Sequence, residues 1–361
     1  MSNPVLSARR GLRATRNSGF SLIEIMVGIA IAMVGVVIML EVLIISQRQA
    51  VTTGSGNDAL SSGAIMMHML ERDLMQAGYG LTTYPPKGML GCNVALPSGA
   101  TIPLAPILIN PATSLIPAGD ANTDRLLVFY GNDDGQPEGN VAYPPAAGNV
   151  YTVQAPSSFH VGDYVIAFDG SCAGTLAMVT VSALSTSTVT AGATGISTAT
   201  TLFNLGRAPT VAAYRVRNGA LETCNFLTTD CTTGGTQWSA ISGNIVSLRA
   251  QYGVDSAASG SMDGIIDTWS QTIPTTACGW VRTPAVRVAM VARSDSYESK
   301  LDASGHRVCD TVTAAAPTWM GAASNPVVLS GNTDWQCYRY QTFENVVPTR
   351  NIIWMGTQAG C

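Results

Sequence analysis

From Ile25 to Leu40 no residue is charged, and apart from Glu41 the apolar run continues to Ile45. As a helix, residues 20–45 would be roughly 39 Å long at about 1.5 Å per residue, enough to cross a bilayer. A secretory signal has a shorter apolar core of roughly 7–15 residues and then a small-x-small cleavage site. Here Ser46-Gln47-Arg48-Gln49 follows instead, so cleavage behind the run is not expected. Arg9, Arg10, Arg13 and Arg16 precede the run, whereas Arg48 is the only basic residue in the twenty positions after it. The positive-inside rule therefore keeps the N-terminus cytoplasmic and places the rest of the chain outside. Glu24 does not fit a plain anchor, because an ionised carboxylate inside a membrane helix costs about 2.5–3.5 kcal/mol even on the lenient insertion scale. It needs a partner.

Gly19-Phe20, with Glu24 four residues further on and a basic leader behind, resembles the class III signal of type IV prepilins. In that family a membrane-embedded prepilin peptidase cuts after the glycine and methylates the new terminal amine. The resemblance makes residues 1–19 a cleaved leader, Gly19 the cleavage-site residue and Phe20 the N-methylated first residue of the mature chain. Glu24 becomes the assembly residue, paired with the N-terminal amine of an adjacent subunit. In a fibre of packed apolar helices two such buried charges offset one another only in the correct register. The alternative is a signal anchor with an incidental glutamate. Unlike many major pilins the apolar helix has no proline, and Gly28 and Gly35 are its weak points.

Loss of residues 1–19 removes four arginines and no acid from the 19 basic and 23 acidic side chains, leaving 15 against 23 and a net charge of −8. That balance argues against a nucleic-acid surface, whose affinity rests on dense Lys/Arg contacts to phosphates. With 12% charged residues and abundant Gly, Ala, Ser and Thr, the outer part suits an extracytoplasmic β-rich domain. Cys92, Cys172, Cys224, Cys231, Cys278, Cys309, Cys337 and Cys361 all lie on the outward, oxidising side, which makes them disulfide candidates. Eight cysteines allow 105 connectivities. Only Cys224 and Cys231 are close enough in sequence to suggest a local loop. There is no Cys-x-x-Cys and no adjacent His, so zinc and thioredoxin-like chemistry lack their usual spacing.

Residues 46–80 continue the N-terminal helix. Thr52, Thr53, Gly54, Gly56 and Gly63 weaken helix propensity, so a frayed or bent segment is expected over 46–63. From Ala64 to Ala77 the pattern recovers, with Ile65, Met66, Met69, Leu70, Leu74 and Ala77 on one face. Gly78-Tyr79-Gly80 then ends the helix. Strands are expected at 125–130, 163–168, 176–181, 213–216, 245–252 and 286–292. The Ser/Thr/Ala/Gly tract 182–201 reads as a hairpin or insertion, or as a linker between two lobes. With 281 residues after Gly80 the outer domain, residues 81–361, exceeds a minimal pilin sheet. The fold class is α+β, pilin-like: a long N-terminal helix, half transmembrane and half amphipathic, on a large antiparallel β-rich domain with insertions.

Several segments resemble PilW-type minor pilins: Leu70 to Gly80, Gly162 to Ile166 leading to Cys172, Tyr252 to Asp255, Val286 to Arg293, and Phe343 to Asn351. The resemblance implies a non-enzymatic inner-membrane subunit of a Gram-negative bacterium, single-pass with its C-terminal domain periplasmic. It would join other minor pilins and major pilin at an inner-membrane assembly platform to prime type IV pilus assembly, the fibre of twitching motility. A type II secretion minor pseudopilin is one alternative, and a pilus-tip adhesin or DNA-uptake subunit another. His68, His160 and His306 are far apart, and no hydrolase, metalloprotease or nucleotide-loop signature occurs, so no catalytic residue is assigned. Asp255, Asp263 and Asp267 resemble the Asp/Gly-rich calcium loops of some pilins. Between Ser256 and Met262 there is no further carboxylate, so a solvated acidic turn is preferred over a calcium site and no cofactor is expected.

Overall fold

The computed structural model describes residues 19–81, 88–132, 136–258, 262–309, 313, 315–329, 333–353 and 361. The leader arginines lie outside them. The chain divides into two compact units, Met1–Thr53 and Gly54–Cys361. One helix runs from Leu22 to Gln76. The fraying expected over 46–63 is not found. Thr53 and Ser62 turn their hydroxyls back on the carbonyls of Gln49, at 2.9 Å, and Asp58, at 2.8 Å, so neither competes for a non-helical backbone.

In the second unit the helix buries Ala59, Met67, Leu70, Leu74 and Ala77. The apolar face is rotated from the expected one: Met67 points inward, while Ile65 is 59% exposed. The helix ends where Gly78 and Gly80 take positive φ, of 85° and 77°. Orphan carbonyls of its last turn are held from far along the chain, because the Asn351 side-chain amide donates to the oxygens of Gln76 at 2.9 Å and Ala77 at 3.1 Å.

A five-stranded antiparallel sheet runs Ser239–Gly243, Ala220–Asn225, Thr210–Arg217, Leu126–Tyr130, Ile107–Ile109 from edge to edge. A four-stranded antiparallel sheet runs Thr268–Ser270, Ile245–Val254, Ala285–Arg293, Tyr340–Pro348. The helix passes so close to the second that a Cβ on Gly63 would lie 2.9 Å from that of Ala292. The two sheets are joined at buried polar atoms. Tyr252 donates to the Ile107 oxygen at 3.0 Å and accepts the Ile109 N–H at 2.7 Å. Asp124 accepts from the Ala250 N–H, Gln271 and Asn325 at 2.8–2.9 Å.

Strands Leu126–Tyr130 and Thr210–Arg217 are neighbours in the five-stranded sheet, yet the chain between them builds a separate closed structure. Its strands are Asn140–Ala147, Val150–Val153, Thr188–Ala191, Leu176–Leu184, Tyr164–Phe168 and Thr201–Gly206, in order of pairing. The last pairs with the first, and every pair is antiparallel. This six-stranded barrel has its own core, including Tyr151, Phe159, Val165, Val189 and Leu202. Alternation along the strand sends Val165 and Ala167 into the barrel and Ile166 and Phe168 into the main core. The tract 182–201 contributes a hairpin of this barrel, closed by Ser185 donating to the Thr188 oxygen at 2.9 Å.

Candidate functional site

The helix starts at Leu22, so Ser21 is its N-cap and Glu24 its third residue. The carboxylate of Glu24 turns back over the first turn, and Oε2 accepts the Ser21 N–H at 3.0 Å. The Glu24 N–H itself donates to the Ser21 oxygen at 3.0 Å. This is the carboxylate half of a capping box, placed at the positive end of the helix dipole. Ser21-x-x-Glu24 before an apolar run is its sequence signature, not among the expectations above. One carboxylate oxygen is thus used to hold the side chain at the helix start. The other, Oε1, has no hydrogen bond among the described residues.

Phe20 is 84% exposed, and so are the apolar residues that follow it to Ile45. Residues Leu22–Gln47 form the one helix among the described residues that is long and apolar enough to cross a membrane, with a mean hydropathy of 2.8. An apolar surface of this extent requires lipid or other apolar helices around it. The prokaryotic N-terminal methylation motif matches residues 14–40, spanning Gly19, Phe20 and Glu24. Residues 213–351 match the family of type IV pilus-assembly protein W, PilW. The chain is a type IV pilin-like protein with a PilW domain behind a prepilin motif.

No curated protein matches this chain. Among solved structures, a type IV-like pilin from Thermus thermophilus is similar at 13% identity, over 82% of this chain and 97% of that one, with a TM-score of 0.33. The PilW family is structural rather than enzymatic. Its match holds the whole four-stranded sheet and, of the five-stranded one, Ser239–Gly243, Ala220–Asn225 and part of Thr210–Arg217, and begins after the barrel has ended.

The acidic residues of the candidate calcium turn are engaged with backbone. Asp255 is 1% exposed, and its oxygens accept the N–H groups of Ala257, Asp263 and Gly264 at 2.9–3.1 Å. Asp267 accepts from Ser256 and Asp263 from Ile265. Arg282 spans the turn, donating to the oxygens of Asp255, at 3.2 Å, and Ala257, at 2.6 Å. Residues 259–261 of the turn lie outside the described residues. No group of three or more His, Cys, Asp or Glu among the described residues could hold a metal ion. The eight cysteines form the pairs Cys92–Cys172, Cys224–Cys231, Cys278–Cys361 and Cys309–Cys337. His68, His160 and His306 are all exposed, on separate elements.

Proposed function

We propose that this PilW-type pilin is a minor pilin that primes type IV pilus assembly. Residues 1–19 are the leader removed by prepilin peptidase, and Phe20 is the methylated first residue. Residues 20–45 anchor the subunit in the inner membrane, with the disulfide-stapled domain in the oxidising periplasm, and then pack into a tip or initiation complex with other minor pilins and against major pilin. The observation that carries this reading is the placement of Glu24. Its carboxylate is fixed at the start of an exposed apolar helix, with one oxygen held by Ser21 and no hydrogen bond to the other among the described residues. A neighbour's N-terminal ammonium would supply the missing charge, and only when the two helices are in register.

The test is made in two steps in cells that have the peptidase and the other pilins. Mass spectrometry of the purified subunit should find an N-terminus at Phe20 carrying one methyl group. An intact leader would overturn the reading. Glu24→Ala should then leave cleavage largely intact and strongly reduce surface pili, and normal piliation by that variant would remove the docking role.

A further inference from the structure

Where the ends of the two main sheets meet, a cavity of about 410 Å³ is lined by residues including Asp120, Asn218, Val246, Arg293, Val328 and Tyr340. The volume falls within the roughly 300–1,000 Å³ of small-molecule sites. Arg293 closes the strand Ala285–Arg293, and its guanidinium lies over the ring of Tyr338 at 4.4 Å. Its Nη2 comes within 4.0 Å of the point that a Cβ on Gly219 would occupy, so it reaches the Asn218–Gly219 turn of the other sheet. Its Nε is buried without a hydrogen-bond partner, and no carboxylate among the described residues pairs with the guanidinium. The Nε of Arg249 is buried without a partner too, but the more buried arginines each have a carboxylate. Arg215 pairs with Glu222 at 2.8 Å and Arg249 with Asp124 at 3.4 Å.

The acids near Arg293 are already committed. Asp120 accepts the N–H of Asn218 at 2.8 Å through one oxygen and that of Gly219 at 2.9 Å through the other. Asp295 accepts from the Asn244 side-chain amide. A guanidinium turned into a cavity with no counter-charge is an incomplete ion pair, and a charge-assisted hydrogen bond to a ligand would complete it.

We propose that this cavity binds an apolar monocarboxylate, with its carboxylate on Arg293 and its hydrocarbon part against Val246, Val328 and Leu329. The charge follows from the lining, since Asp120 is turned to the N–H groups of Asn218 and Gly219, the one guanidinium can pair with a single negative charge, and the second charge of a phosphate dianion would face Asp120 unpaired. The aliphatic wall of Val246, Val328 and Leu329 favours a hydrocarbon part against it over a row of hydroxyls, which would lose water on that side. A free branched-chain acid and the apolar C-terminal residue of a polypeptide present this same chemistry.

The full-length pilin in detergent micelles is titrated with N-acetylleucine, N-acetylleucinamide and isocaproate, and binding is followed by saturation-transfer NMR. N-acetylleucine should bind about tenfold or more tightly than its amide. Arg293→Gln should remove that preference. Isocaproate binding as well as N-acetylleucine identifies a free acid as the source, and much weaker binding identifies a peptide C-terminus. Equal binding of acid and amide to the unaltered protein overturns the proposal. Val328→Trp, at a position 36% exposed, fills the cavity from its rim and should abolish acid binding without lowering the melting temperature. Acid binding to Val328→Trp at undiminished affinity overturns the proposal even if Arg293→Gln does not fold.

Discussion

The phenol of Tyr214, on the central strand of the five-stranded sheet, donates a hydrogen bond to the carboxylate of Asp73 on the long helix. Tyr130, on the adjacent strand, donates to the other oxygen at 3.1 Å. Asp73 is only 5% exposed, so these two phenols and Arg72 stand in for water. Burial, and then the charge of Asp73, hold the Tyr214 phenol well above its usual value of 10, and it remains a donor at any physiological pH. Tyr214→Phe leaves one oxygen of a buried carboxylate without its partner and should destabilise the protein by about 1–3 kcal/mol. The check is the urea midpoint of the disulfide-intact protein. An unchanged midpoint would mean that water reaches Asp73 in place of the phenol.

The glycines of the helix fall into two groups with opposite expected effects. A Cβ on Gly63 would lie 2.1 Å from the Phe343 ring and 2.9 Å from the Ala292 Cβ, which cannot swing aside. Gly63→Ala should cost about 1–3 kcal/mol through overpacking. At Gly56 nothing lies within 4 Å, so Gly56→Ala should gain about 0.5–1 kcal/mol from helix propensity alone. Thermal melts of the two variants should shift in opposite directions. Removing the ring with Phe343→Leu should recover part of the Gly63→Ala loss, because the two residues couple.

The sequence carries more of the strands than of their arrangement. Leu126–Tyr130, Tyr164–Phe168 and Ala285–Arg293 are buried on both faces, and that makes them near-continuous apolar runs, interrupted in the last by Arg287, that can be read without partners. Closure of the barrel depends on pairs such as Leu202 with Asn140, which no local pattern encodes. In the tract 182–201 only the burial of Val189 and Ala191 between polar neighbours betrays a strand. Over 46–63 local propensity points away from an unbroken helix, but propensity is a weak prior where tertiary contact intervenes, as at Ala59 and Gly63. At the junction, Gly19, Phe20 and Glu24 are legible from residue types and spacing. The unpaired state of Arg293 is not, since it depends on where Asp120 and Asp295 spend their oxygens.

Asp255 gives the outer domain a pH-dependent contribution of known sign. Burial alone would raise its pKa, but the N–H groups of Gly264, Ala257 and Asp263, with the charge of Arg282, outweigh that and hold it below its usual 3.8. The stabilisation is therefore fully present above the unfolded value and is lost as pH falls through the lowered folded value. The stability difference between the unaltered protein and Asp255→Asn should be constant from neutral pH down to about 4 and shrink below it. Urea titrations at stepped pH measure it, and a difference that grew with acid would contradict the sign. Because these carboxylates already face N–H donors, millimolar calcium should leave the melting temperature unchanged. A rise of several degrees would show that the turn rearranges around a cation.

The four disulfides should differ in worth according to the loops they close. Cys92–Cys172 spans 80 residues and ties the barrel to the strand at Asn93–Ala95, whereas Cys224–Cys231 spans 7. If constraint of the unfolded chain dominates, loops of these lengths correspond to about 4.5 and 2.4 kcal/mol. Replacing each pair with two alanines avoids mispaired thiols, and the Cys92/Cys172 variant should lose about 2 kcal/mol more. Cys224 and Cys231 are both buried, so their packing contributes as well. Equal losses in the two variants, read from denaturant midpoints with unchanged m-values, would mean that this packing, rather than the closed loop, sets what the short bridge contributes.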